Sequence, residues 1–332
     1  MERLRGIKMN KQVFFEELFR EIDFFEQKEK DEIRAYYEEL IMDGMEAGVS
    51  EEEVIERLDS PKEIANRLKG EYAHSEKKNA DATQKEHGVY SPQGNVNTVK
   101  IQAEDRGIHL VESQDQQLRI CYEAQDDDEI IYYEADGMFY FKQKQRSRFN
   151  FLKFRIQTNV APIIVEIPQN QMKLVELTTK NGGIRCKQVA IASALFIETS
   201  NGGIRLEQVQ ADAIDIHTTN AGIIIQSVLA NRCSAKSTNS AIKVNNCKMR
   251  QQLNLRTTNG SLKFEEVDAM ELDLSTTNGS IKGKVLGNPE DYQIYSHTTN
   301  GSNNLPNGWG KGKDKKISAS TSNGTIAVEF VK

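Results

Sequence analysis

Asparagine recurs through the second half of the chain, at Asn181, Asn201, Asn220, Asn239, Asn259, Asn278, Asn300 and Asn323. The interval is close to 20 residues, and the surrounding positions keep register. Two residues before each Asn stands a hydroxyl: Thr179, Thr199, Thr218, Ser237, Thr257, Thr276, Thr298 and Thr321. A small residue follows: Gly182, Gly202, Ala221, Ser240, Gly260, Gly279, Gly301 and Gly324. Apolar columns repeat on either side. Three residues after the Asn come Ile184, Ile204, Ile223, Ile242, Leu262, Ile281 and Ile326, and four before it come Leu177, Ile197, Ile216, Ala235, Leu255 and Leu274. A fixed period of this length marks a repeat architecture. Spacing of two within each flank means strands, because successive side chains of a strand point to opposite faces. Each repeat therefore reads as strand, Thr-Asn-Gly corner, strand, second corner.

Stacking such units buries a continuous core and gives a solenoid. The predicted fold is mainly β: a single-stranded β-helix (β-solenoid) of about eight coils, preceded by irregular β strands and a small N-terminal α-helical bundle. With rungs ~4.8 Å apart, eight coils span roughly 38 Å. The Asn column is expected to tolerate a left-handed backbone at the corner and to form an amide ladder. The Thr column is expected to stack with bonded hydroxyls. The C-terminal stretch from Ile317 to Val331 is expected either to cap the stack or to join a second chain.

The front of the chain is different. Residues 1–73 carry 20 acidic and 12 basic side chains, a net of -8, so the remainder carries about +2 of the total of -6. This reads as a set of solvated helix faces, and the overall charge argues against nucleic-acid binding. Asn10 begins an apolar series at intervals of four, Phe14, Leu18 and Ile22. A second helix is expected over 27–45, with Ile33, Tyr37, Leu40 and Ile41 on its apolar side. Ser50 with Glu53 marks a third start, with Val49 stapling onto Val54; Ser60, Pro61 and Glu63 mark a fourth, followed by Ile64, Ala65 and Leu68. The expected organisation is a helical bundle over 9–73, a flexible linker over 74–94, an irregular β entry region over 95–170 and solenoid repeats over 171–332.

No run of 18 apolar residues occurs, so no integral membrane span is expected, and no signal peptide is visible. Met9 is an alternative start to Met1. The cysteines Cys121, Cys186, Cys233 and Cys247 lack CxxC spacing and read as reduced core residues of a cytosolic protein.

No catalytic, cofactor-binding or metal-binding residue is assigned, and no cofactor is expected. The five histidines have no metal-ligand spacing. Glu198 and Asp215 are expected to be neighbours across coils with His217 near, but a mixed solvated face is the stronger reading than an acid–base pair. One outward column is biased to cations: Arg185, Arg205, Lys243, Lys263 and Lys282, with Ile224 between. It would form an anion-binding stripe for an anionic surface or polymer, or charge that keeps a flat β face soluble, the favoured reading.

Two segments resemble known families. The run of Thr-x-Asn-Gly-x-Ile units, preceded by Ile163-Ile164-Val165-Glu166-Ile167-Pro168, resembles the bacterial "putative adhesin" family (domain of unknown function 4097) over residues 95–332. Tyr36-Tyr37-Glu38-Glu39 and Leu58-Asp59-Ser60-Pro61-Lys62-Glu63-Ile64-Ala65 resemble a helical signalling domain of the HAAS (DUF1700-like) type. The resemblance implies a surface adhesin by its name, and a link to cell-envelope stress systems through Gram-positive relatives. It brings no catalytic residue. The expected function is a non-enzymatic binding or scaffold protein, cytoplasmic or membrane-peripheral, taking a protein partner through the N-terminal helices. The alternatives are an adhesin or glycan-binding protein at the cell surface, and a carbohydrate-active enzyme on a β-helix.

Overall fold

The structure, a computed structural model, describes residues 10–23, 25, 27, 30, 31, 33, 34, 37, 38, 41, 50–66, 87–123, 128–145, 161–310 and 312–332. The chain forms two compact units, a helical one within residues 1–84 and a β unit built from 85–147 and 160–332.

In the helical unit, α1 (Lys11–Glu21) is capped by Asn10, whose side chain accepts from the Val13 N–H at 2.9 Å. Helix α2 (Glu51–Arg57) is capped by Ser50, which accepts from the Glu53 N–H at 3.3 Å. Three glutamates fill its first turn, where carboxylates complement the positive end of the helix. Residues 61–66 are helical behind the reciprocal box of Ser60 and Glu63. Those bonds hold the Glu63 carboxyl below its ordinary pKa. Within the second predicted helix, 27, 30, 31, 33, 34, 37, 38 and 41 are helical; Leu40 and Met45 lie outside the described residues, as do Val49, Leu68 and 74–86. Phe14, Leu18, Ile22, Ile33, Tyr37, Ile41, Val54, Ile55 and Ile64 share one buried cluster, which is what spacing of three and four on amphipathic helices delivers.

The described strands are β1 (His87–Tyr90), β2 (Thr98–Ala103), β3 (Ile108–Glu112), β4 (Arg119–Glu123), β5 (Asp128–Ala135), β6 (Met138–Gln145), β7 (Ile163–Ile167), β8 (Leu174–Thr179), β9 (Ile184–Ala190) and β10 (Ala194–Thr199). They continue as β11 (Ile204–Thr218), β12 (Ile223–Gln226), β13 (Leu229–Ser237), β14 (Ile242–Thr257), β15 (Leu262–Thr276), β16 (Ile281–Leu286), β17 (Tyr292–Thr298), β18 (Lys315–Thr321) and β19 (Ile326–Val331). The repeats stack in parallel and in register. Ile197 pairs with Leu177 on one side and Ile216 on the other, and Ile204 likewise with Ile184 and Ile223. This makes a mainly β, solenoid-like stack whose inward columns form a single core. Cys186, Cys233 and Cys247 are buried in those columns and Cys121 is half-buried; all four are free. Burial pushes the Cys186 and Cys233 thiols up in pKa, which keeps them protonated and inert.

The left-handed backbone lies elsewhere than expected. None of the eight repeating asparagines has positive φ. The left-handed residues are seven positions later: Gln188, Gln208, Ser227, Asn246 and Glu266, with φ between 50 and 56°. Each inserts one bend after the second strand, so that the next residue (Val189, Val209, Val228, Cys247 or Val267) turns back into the core. A further inward column follows at Ile191, Ala211, Ala230, Met249 and Ala269. These five coils thus have a short third side, with none of the five bends at a β-branched residue, the type least tolerant of positive φ. The coil of Asn278 lacks this residue: Phe264 pairs with Gly283 and Val267 with Val285. A Cβ on Gly283 would overlap the Phe264 ring and carbonyl.

Both ends of the stack depart from simple succession. The region expected to be irregular begins with a regular coil: β2 pairs in parallel with β8, and β3 with β9. The outer sides of β2 and β3 are covered by β6 and β7. Strand β4 then runs antiparallel to β7, β1 to β4, and β5 to β6. Residues 87–90, expected within the flexible linker, are therefore a strand. The Tyr90 ring pays for their ordering by packing on Tyr132 and Phe141, at 4.4 and 5.4 Å between centroids.

At the other end, β18 lies between β15 and β17, and β19 pairs with β16. The last coil of the sequence is thus neither a cap nor a free edge; it is interior, and the coil before it is outermost. Residues 302–309 close that end. The Ile326 N–H donates to the Ser302 carbonyl at 2.8 Å, and the Asn304 side chain both accepts from the Val328 N–H and donates to its carbonyl, each at 2.9 Å. The Ile294 N–H donates to the Trp309 carbonyl at 3.0 Å. These bonds occupy edges that would otherwise recruit another strand.

Candidate functional site

The Asn column forms a continuous amide ladder. Each Nδ2 donates to the Oδ1 one rung nearer the start of the stack: Asn201 to Asn181 at 2.6 Å, Asn220 to Asn201 and Asn239 to Asn220 at 2.7 Å, and Asn259 to Asn239 and Asn278 to Asn259 at 2.9 Å. The inserted coil continues the line, with Asn323 donating to Asn278 at 2.9 Å and Asn300 to Asn323 at 2.8 Å. At the head, Asn181 donates to Asp105. A carboxylate is suited there because it only accepts, and all eight amides point their donors towards it.

The Thr hydroxyls bond to backbone and not to one another. Thr257 Oγ1 donates to the Ser240 carbonyl at 3.0 Å and accepts from the Gly260 N–H at 3.2 Å; Thr199 does the same between the Gly182 carbonyl and the Gly202 N–H. A Cβ on Gly202 or Gly279 would overlap the carbonyl of the neighbouring coil. Asn, Thr and Gly are thus fully used in holding coils together.

The outward columns remain. In the basic column Arg185 stands beside Arg205, Lys243 beside Lys263, and Lys263 beside Lys282, with Ile224 between Arg205 and Lys243. His109 and Ala327 extend it at either end. Arg205 lies 3.6 Å from Glu207, whereas Arg185, Lys243, Lys263 and Lys282 have no ion pair among the described residues. Burial, then the Arg185 charge, lowers the His109 pKa.

The strands that precede each Asn carry a shallow groove of about 470 Å³, lined in part by Glu176, Phe196, Glu198, Asp215, His217 and Lys236. Register places Glu198 beside His217 and His217 beside Lys236, with Phe196 between Glu176 and Asp215. Glu198, Asp215 and His217 therefore share one groove, though the direct neighbour of Asp215 towards the start of the stack is Phe196 and not Glu198. Phe196 is 43% exposed. Glu176 is tied to Lys100 at 2.9 Å. The side chains of Glu198, Asp215, His217 and Lys236 make no hydrogen bond or ion pair among the described residues. Phe196 was not among the sequence-predicted site residues; its available signal was an aromatic flanked by carboxylates in an outward column.

A buried charge cluster near the start of the stack was also missed. The Arg106 guanidinium pairs with the Asp128 carboxylate, both nearly inaccessible, and donates to the Glu123 and Ala161 carbonyls at 2.8 and 3.3 Å. Tyr122 and Gln143 donate to the same carboxylate at 2.5 and 2.6 Å. A second, half-buried network joins Arg119 to Asp115 and Glu166 at 2.5 and 2.7 Å. Hydrogen bonding from Arg119, then from Ser113, pulls the Asp115 pKa down to about 2.

Among the described residues, no group of three His, Cys, Asp or Glu side chains could hold a metal ion. No described helix is long and apolar enough to cross a membrane.

A family model described as Toastrack DUF4097 matches residues 96–329, more than half of the chain, and one described as HAAS matches residues 14–67. No curated protein matches. Two solved structures are similar in part. One is described as a putative cell adhesion protein from Clostridium sporogenes, with 10% identity, a TM-score of 0.26, and coverage of 75% of this chain and 100% of that one. The other is a putative adhesin from Bacteroides fragilis, with 13% identity, a TM-score of 0.36 and the same coverage.

Proposed function

Since the chain belongs to the Toastrack DUF4097 family and carries a HAAS domain ahead of it, we propose that it is a non-enzymatic binding scaffold in bacterial cell-envelope or membrane-associated signalling. In this reading the helical unit docks a protein partner and the β stack offers a long rigid face. The location would be cytoplasmic or peripheral to the membrane.

The observation that carries the reading is the division of labour within each coil. Inward columns and the Asn, Thr and Gly corner are consumed by stacking, while the outward columns vary from rung to rung and leave several charged side chains without an ion pair among the described residues. A regular frame with variable outward positions is how repeat proteins build binding surfaces. The helical unit has its own core and an acidic exterior, with Glu52 and Glu56 exposed on α2.

The test is affinity capture with the full chain from its native host, beside a Glu52→Lys/Glu56→Lys variant. The wild type should retain a protein that the variant releases. Identical recoveries from the two chains would remove this acidic helix face from the docking role.

A further inference from the structure

We infer that the groove around Phe196 is a saccharide-binding subsite, taking a neutral oligosaccharide that lies along the stack. The inference rests on the reading of the β stack as a rigid binding face and is independent of docking through the helices.

Three observations converge. First, Phe196 stands 43% exposed in a column whose neighbours on either rung are the carboxylates Glu176 and Asp215. Exposing a large apolar ring costs free energy in water, and an aromatic face attracts the weakly positive C–H groups of a flat ring laid on it. A pyranose presents such a face while keeping its hydroxyls at the rim.

Second, the rim supplies both halves of hydroxyl recognition. Glu198 and Asp215 accept, Lys236 donates, and His217 and Thr178 can do either. Acceptors and donors interleave: Glu198, His217 and Lys236 follow one another on successive rungs. A patch meant for a cationic chain would be uniformly acidic. Balanced donors and acceptors suit a neutral ligand whose every hydroxyl is both donor and acceptor.

Third, the side chains of Glu198, Asp215, His217 and Lys236 are not engaged with one another or with other described residues. Farther along the same face the corresponding groups are spent: Arg256 lies 3.6 Å from Asp273 and donates to Asn254 at 3.2 Å. The groove is the stretch of this face where polar groups remain available around an aromatic platform. It spans four rungs and two columns, roughly 14 Å by 7 Å, which accommodates a disaccharide unit. Because these side chains stand on strands fixed from both sides, the site is preorganised.

The test uses the full chain on an array carrying chitotetraose, cellotetraose, maltotetraose and mannotetraose, followed by calorimetric titration of whichever is retained. At least one should bind, with Phe196→Ala and Asp215→Ala each weakening it roughly tenfold or more. Lys263→Glu, on the basic column, should leave it unchanged. Both groove positions are exposed, and an unchanged circular-dichroism melt confirms that each variant is folded. Three outcomes overturn the inference: no oligosaccharide retained at millimolar concentration, equal binding by Phe196→Ala, or binding of a Lys/Arg-rich peptide through these residues while no sugar binds. None of these bears on the helical docking test, which reads a different unit.

Discussion

Thr257 concentrates what single residues do in this protein. Its hydroxyl links the Ser240 carbonyl and the Gly260 N–H at that corner. Thr257→Val keeps the shape and strands both groups, so it should cost about 1–3 kcal/mol in denaturant unfolding. Asn239→Ala removes one donor and one acceptor from an exposed ladder, and about 1 kcal/mol is expected by the same measurement. Two residues add a pH dependence. Asp115 is held down to about 2 in the fold, so its stabilisation is present above the ordinary carboxylate pKa and is lost as pH falls towards 2. NMR titration of Asp115 should find that midpoint. The His109 pKa is lowered, chiefly by burial, so below its ordinary value of 6.5 the unfolded chain takes up the proton first. Stability should therefore fall as pH drops below about 6.5, and His109→Gln should flatten that limb of the stability profile.

At the scale of elements, most of each coil was legible in the sequence. The inward columns, the corner triplet and the helix caps are local and periodic, and they fall where the spacing puts them. The left-handed bend at Gln188, Gln208, Ser227, Asn246 and Glu266 was not legible, because four different residue types satisfy it and only the backbone reveals the column. The Arg106–Asp128 pair was hidden for another reason: its two members and their partners come from five separate stretches, at 106, 122–123, 128, 143 and 161. Breaking a buried pair leaves an uncompensated charge, so Asp128→Ala should cost about 3–5 kcal/mol and loosen the β5–β6 end first. Hydrogen exchange at Phe139 and Phe141 measures this. On the basic column, Lys243→Glu/Lys263→Glu/Lys282→Glu separates two roles. An anion-binding stripe predicts weaker retention on anionic vesicles; a solubility role predicts unchanged retention with earlier aggregation.

At the scale of the whole molecule, the order of coils is the unexpected element. In a simple stack, deleting the last coil trims an end. Here residues 315–331 lie between the coil of Asn278 and that of Asn300, so truncation after 312 should unravel the segment from 287 onward as well. Hydrogen exchange across Tyr292–Thr298 should show loss of protection at strands that remain in the chain. Unaltered protection would contradict the interlocked order.

The amino-acid order alone set the repeat, its period, the strand character of each flank and the residues that face inward, because these follow from local geometry repeated in register. It determined the helix starts for the same reason. Long-range packing settles which coil lies beside which, where the chain turns left-handed, and which outward side chains meet in a groove. Equivalent coils carry near-identical stacking surfaces, so nothing in one repeat says which other repeat it must touch. That choice is made at the ends, by the closing residues 302–309 and the buried Arg106–Asp128 pair, through contacts that no periodic pattern encodes.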